Sequence, residues 1–378
     1  MRTSRNKISV RQLFFVFTIL VSSPATRFLP KYAAAKAAQA GWLSPVVCIV
    51  PFLLLLLIID SLLNKYEGKS MSEIMVTLMG KYLGNLLLVI YLFWAVWLLA
   101  LYTRYYVERL TSSIYPTVNN NVLIILTLVP IAYMLRSGFT VIARMSEILL
   151  PFIGTMLVLL SIFLLPAVRS DNLLPVYYND IIPIIKASFS STAIFGYIFL
   201  LTFLGGGLVN LKSFRTFGYI GAFVNISSLV LLMLITIGVL GSSVTERAPM
   251  SVLVTVKQIT LQDTIENIEA IIVAIWIFAD FTLISTFFVV TLNIVKSIFK
   301  LSDTKYLINI YAVLVYFLAM GICSSKFELE AFSNTVLLPL NISLGYGIPI
   351  VLYILSKLKK DGKQTKTDKK AEQPSSTK

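Results

Sequence analysis

Runs of about twenty apolar residues, separated by short polar segments, recur along most of the chain. A helix of that length spans roughly 30 Å, the thickness of a bilayer's hydrocarbon core. The pattern predicts ten transmembrane helices, at approximately 10–38, 40–63, 85–111, 121–135, 139–165, 187–211, 214–241, 268–299, 305–324 and 335–358. Four connections keep an amphipathic pattern and are expected to lie along the membrane surface: 70–84, 173–186, 249–268 and 326–332.

Two of these spans are interrupted. In the first, apolar residues from Leu13 to Val21 run into Ser22, Ser23, Pro24, Ala25, Thr26 and Arg27 before FLPKYAAAKAA resumes. Pro24 lacks a backbone donor and crowds the preceding turn, and the hydroxyls beside it can bond backbone groups in place of a regular helix. The stretch fits a proline kink, the end of a cleavable signal peptide, or a discontinuous helix that binds a small molecule or ion. Cleavage would leave an orphaned half-helix, because apolar sequence resumes at once. Arg27 fits either a side chain snorkelling outward or an anchor for a ligand carboxylate. Five spans later, ASFSSTAIFGY crowds Ser188, Ser190, Ser191 and Thr192 before Phe195, Gly196 and Tyr197. The spacing of the two breaks predicts inverted halves, about 10–165 and 187–358, within one transmembrane domain over 1–358. The lysine-rich stretch 359–378 reads as a disordered basic tail.

Composition supports a membrane protein: 57% of the residues are hydrophobic and 13% charged, against about 25% charged in soluble domains. The formal net charge of +14 does not point to nucleic acid, because the lysines and arginines gather at span ends and in the tail. Placing both termini in the cytoplasm puts 22 of the 32 on the inner side, as membrane orientation requires. The absence of histidine excludes imidazole metal sites and proton relays. Cys48 and Cys323 both fall in apolar spans and read as packing residues.

Ionisable groups within spans are costly and need a partner or a wet cavity. Span eight lines up Glu269, Val273, Trp276, Asp280 and Phe287 on one helical stripe, with Asp280 the deepest acid. Asp280 can bind a cation or substrate amine, take up a proton, or serve as a structural hydrogen-bonder. Span three offers Tyr91, Trp94, Trp97 and Leu101 on one face, followed by Arg104 and Glu108 as an i,i+4 pair. In span five, Arg144 and Glu147 are expected to neutralise each other. Gly205 to Gly207 lack the Lys-Ser/Thr of a phosphate loop, and no nucleophile–base pair or catalytic carboxylate pair is evident. An enzyme, a metal and a cofactor are therefore not expected.

In order along the chain come KISVRQLFF (7–15) with FLP (28–30), GW (41–42), KSMSEIMVTLMGKYLG (69–84), DNLLPVYYNDIIPII (171–185), FGYIFLL (195–201) and IENIEAIIVAIWIFADF (265–281). This series resembles the GerAB-like spore germination permeases, the B subunits of germinant receptors, which belong to the amino acid/polyamine/organocation superfamily. The resemblance implies an all-α LeuT-like fold: a 5+5 inverted repeat of ten helices in which helices 1 and 6 are broken. It makes Ser22, Ser23, Ala25 and Thr26 the unwound part of span one, and Thr192, Phe195, Gly196 and Tyr197 that of span six. Trp94 and Asp280 would face the same pocket. It implies a small-molecule germinant (amino acid, sugar or nucleoside), A and C receptor subunits as partners, and a location in the spore inner membrane. The alternative is an H+- or Na+-coupled amino acid permease of the bacterial cell membrane. The chain departs from the family pattern at Ser23-Pro24-Ala25, where relatives carry glycine, at Tyr197, where an acid is common, and at Asn267, where arginine is usual.

Overall fold

An apolar chain in hydrocarbon must satisfy each backbone N–H and C=O within itself, and helices do so segment by segment. A computed structural model describes residues 7–204, 207–258, 268–323 and 326–359, with only the backbone given for 268–271 and 326. Its main helices are α1 (Val10–Ala37), α2 (Ile49–Lys65), α3 (Met71–Ser113), α4 (Asn120–Leu135), α5 (Thr140–Leu164), α6 (Ile181–Phe195), α7 (Tyr197–Leu201), α8 (Phe214–Leu240), α9 (Ile268–Phe299), α10 (Leu307–Gly321) and α11 (Ile348–Leu358). Among the described residues, seven helical stretches are long and apolar enough to cross a membrane, and the first runs Val10–Lys65 through the tight turns joining α1 to α2. Helices α4 and α10 are apolar but shorter. Phe93, Ile148, Phe223 and Ile310 are exposed on the outside, where lipid rather than water is their solvent. The chain is an integral membrane protein.

Local chemistry sets the helix boundaries. Ser9 and Gln12 form a reciprocal capping box at the start of α1, and Ser70 and Glu73 do the same for α3. Ile8–Ser9 pairs in parallel with Leu208–Val209, the only strand pairing among the described residues. Within α3, Gly80 adopts φ 82°, ψ 172°, a conformation open to glycine at little cost. The turn folds Met71–Met79 back on the long helix so closely that a Cβ on Gly84 would lie 2.6 Å from the Val76 Cα. Met71, Ile74, Met75 and Leu78 are buried while Glu73 is exposed, the two-faced helix expected over 70–84.

The expected break in helix one is absent: α1 is a continuous helix from Val10 to Ala37 with Pro24 and Pro30 inside it. Proline removes only its own donor, and hydroxyls on the same helix bond the carbonyls around it. Ser22 donates to the Ile19 carbonyl at 2.6 Å, and Thr26 donates to the Ser22 and Ser23 carbonyls at 3.1 and 3.0 Å. Such hydroxyl bonds and neighbouring helices are what make proline tolerable inside membrane helices.

The sixth span is interrupted, though only at one residue. Gly196 separates α6 from α7 while keeping right-handed backbone angles, so residues 192–197 are not unwound. The glycine sits at a close approach of two backbones. A Cβ on Gly345 would lie 2.9 Å from the Gly196 Cα, and a Cβ on Gly196 would lie 3.2 Å from a Tyr346 ring carbon. The region around α6 is central, with 89% of its apolar window buried, whereas the α5 window, 11% buried, lies at the periphery. The lysine-rich tail beyond Lys359, Asn267 and the Glu269 side chain lie outside the described residues.

Candidate functional site

The stripe on α9 turns inward as its spacing predicts: Val273, Trp276, Asp280 and Phe287 are all buried. The Asp280 carboxylate lies between two other helices. Ser23 on α1 donates its hydroxyl to Asp280 Oδ1, and Arg109 on α3 donates Nη1 to Oδ2 at 3.0 Å. Arg109 Nη2 donates to the Ser23 carbonyl at 3.2 Å, and the guanidinium lies 4.7 Å over the Trp276 ring. The side chains of Arg109 and Asp280 are 4% and 2% exposed. An isolated charge in this environment would be strongly disfavoured, so pairing and hydrogen bonding are conditions of its burial.

A second polar network lies nearer the start of α3. Trp94 Nε1 donates to Asn341 Oδ1 at 2.8 Å, Asn341 Nδ2 donates to the Tyr197 hydroxyl at 2.8 Å, and the Tyr197 and Tyr102 hydroxyls share a bond at 3.0 Å. Tyr91 donates to the Leu344 carbonyl at 2.6 Å. These bonds tie α3 and α7 to the helical stretch between Phe332 and α11, beside the Gly196–Gly345 contact.

The expected site residues are thus divided. Ser23 and Asp280 meet directly, and Trp94 and Tyr197 meet through Asn341. Ser22 and Thr26 bond only to nearby backbone. Ala25, Thr192 and Phe195 are buried, the Phe195 ring 4.6 Å from Phe52. Trp94 and Asp280 belong to the two different networks. Arg109, which binds Asp280, lies 15 residues beyond Trp94 on α3, or about 22 Å of helical rise. Arg104 and Glu108 pair at 3.0 Å as expected. Glu147 instead takes Arg11 at 2.7 Å rather than Arg144.

Arg109, Tyr102, Tyr105 and Asn341 are missing from the sequence-based site. The α3 face that points inward is Tyr91, Trp94, Leu98, Tyr102, Tyr105 and Arg109, all buried. Its steps of three and four were readable. Trp97, assigned to that face, is 42% exposed and packs on Phe332.

A cavity of about 220 Å³ opens near the C-terminal half of α1, lined by Arg27, Lys31, Tyr105, Arg109, Glu330 and Ser333 among others. None of the ten expected residues lines it. The Arg27 guanidinium lies 4.6 Å over the Tyr105 ring, and its Nη2 is buried without a hydrogen-bond partner, so it does not snorkel outward. Lys31 and Glu330 pair at 2.9 Å on the cavity wall. A larger cavity, about 1220 Å³, lies at the other end of α1 and is lined by six lysines with Glu73 and Asp303.

Apolar helices tied together by buried charged and hydroxyl groups define a polytopic membrane protein with an internal polar core. The chain belongs to the spore germination protein family, whose model matches residues 7–326. Spore germination protein KB of Bacillus subtilis (strain 168) is 23% identical over 363 residues, covering 94% of this chain and 95% of that protein. Spore germination protein YndE of the same organism is 22% identical over 364 residues, covering 95% and 99%.

Proposed function

We propose that this chain is the membrane-embedded B-type subunit of a germinant receptor. It senses a small nutrient, an amino acid first among the candidates, and triggers germination together with A and C subunits in the spore inner membrane. Counting Val10–Lys65 as two crossings and adding the shorter α4 and α10 gives ten, consistent with a 5+5 arrangement of halves about 10–165 and 187–358 and with both termini cytoplasmic. The sensing residues are proposed around the helix-one and helix-six segments: Ser22, Ser23, Ala25, Thr26, Thr192, Phe195, Gly196 and Tyr197, with Trp94 and Asp280.

The observation that carries this reading is the Ser23–Asp280–Arg109 node. Three helices of a membrane protein meet there on buried polar groups, which are costly in that setting and therefore a mark of function. Such a junction can hold two helix arrangements whose balance a ligand shifts by binding one better than the other. In the alternative, an H+- or Na+-coupled amino acid permease, Asp280 would exchange the Ser23 and Arg109 donors it now holds for a proton or cation. Spores lacking the chain are expected to lose their response to one nutrient class among amino acids, sugars and nucleosides. Sustained amino acid uptake by the purified chain alone in proteoliposomes would favour the permease.

A further inference from the structure

We infer that the cavity beside α1 binds a small carboxylate, with Arg27 as its anchor. The inference rests on the reading of the chain as a nutrient sensor and names the chemistry its ligand must carry. Ser23, Arg27 and Lys31 follow one another at i, i+4 and i+8, so they share one face of α1. Ser23 and Arg109 occupy the Asp280 oxygens. Of the other nearby carboxylates, Glu108 is held by Arg104 and Glu330 by Lys31, while Glu246 is exposed on the cavity wall.

The Arg27 guanidinium lies over two aromatic rings, Tyr105 at 4.6 Å and Phe28 at 5.7 Å. Its Nη2 is buried and has no acceptor. Arg27, Lys31 and Arg109 on the cavity lining are matched in number by Glu108, Glu246 and Glu330, yet among the described residues no ion pair reaches Arg27. A guanidinium presents its donors in a planar fork that matches a carboxylate, and it cannot shed its proton to escape the cost of burial. An anion entering the cavity supplies the missing acceptor.

Size limits the anion. The cavity holds about 220 Å³, the liquid volume of roughly seven waters and less than the roughly 300 Å³ at which pockets for drug-sized ligands begin. A molecule with one carboxylate and a few further heavy atoms fits, whereas a peptide or a nucleotide does not. Lys31 and Glu330, paired at 2.9 Å with side chains 33% and 27% exposed, stand at the rim and offer one charge of each sign to the rest of the ligand.

The test uses the full chain in lipid nanodiscs, with its melting temperature followed against rising propionate, L-alanine, L-alaninamide or D-glucose, each matched to chloride in ionic strength. Propionate and L-alanine are expected to raise the melting temperature beyond chloride, and the amide and the sugar are not. In Arg27→Gln the two acids are expected to bind about thirtyfold more weakly or worse, the loss that follows removal of one side of a desolvated charge pair. Should Arg27→Gln not fold, the comparison of acid with amide on the unaltered chain decides. The inference is overturned if neither acid exceeds chloride, if L-alaninamide binds as well as L-alanine, or if Arg27→Gln keeps its affinity for the acids. Binding of D-glucose that Arg27→Gln leaves unchanged would overturn it while leaving the nutrient-sensing reading in place.

Discussion

Arg109 and Asp280, 171 residues apart in sequence, are joined at 3.0 Å with almost no exposure of either side chain. The bond joins α3 to α9, and Ser23 brings α1 to the same point. Replacing either charge alone strands the other inside the protein. Asp280→Asn and Arg109→Gln are each expected to destabilise the chain by about 3–5 kcal/mol. Replacing both with leucine is expected to cost clearly less than the sum, because no stranded charge remains. Unfolding in detergent, or the amount of folded protein recovered from membranes, reads the difference.

The Tyr197 hydroxyl supports a separate prediction. It accepts from Asn341 and bonds to Tyr102. Tyr197→Phe leaves the Asn341 amide unsatisfied in a buried place, a loss of about 1–3 kcal/mol. Adding Asn341→Leu to Tyr197→Phe is not expected to restore stability, since Trp94 Nε1 then loses its acceptor. A double-mutant cycle on melting temperature checks both statements.

At the α6–α7 junction, backbone meets backbone. Gly345→Ala sets a Cβ 2.9 Å from the Gly196 Cα, a contact that only movement of a segment relieves. The expected cost is about 1–3 kcal/mol, read as a lower melting temperature. Gly321→Ala, where a Cβ meets nothing within 4 Å, serves as the comparison and is expected to change little.

The division between what was readable in the sequence and what was not follows from distance along the chain. The α9 stripe was legible because helical periodicity alone brings Val273, Trp276, Asp280 and Phe287 to one side. The Arg104–Glu108 pair was legible for the same reason. Asp280's partner was hidden because Arg109 reaches it across two helices, and no local rule links residues so far apart. The continuity of α1 was hidden too. Pro24 weakens the helix locally, but α1 is held in place by other helices, Arg109 bonding the Ser23 carbonyl and Asp280 the Ser23 hydroxyl. Glu147 had Arg144 within reach on its own helix, yet tertiary packing offered Arg11.

That last choice is itself testable. The Arg11–Glu147 pair is largely exposed on its arginine side, so Glu147→Gln is expected to cost less than about 1 kcal/mol. Arg11→Gln should match it without adding to it, and Arg144→Gln should leave the Glu147→Gln effect unchanged.

We propose that the node joining α1, α3 and α9 takes part in sensing. Ser23→Ala removes the hydroxyl that ties α1 to Asp280 while leaving the Arg109–Asp280 pair and the Arg109 bond to the Ser23 carbonyl in place. Its structural cost is about 1.5–3 kcal/mol, that of one hydrogen bond to a charged group. The measurement is the germination dose–response of spores carrying Ser23→Ala, taken over amino acids, sugars and nucleosides at matched levels of the chain in the spore membrane. A shift of the curve for the effective nutrient is the predicted result. Curves for Ser23→Ala and the unaltered chain that superimpose at equal protein level would exclude the node from sensing.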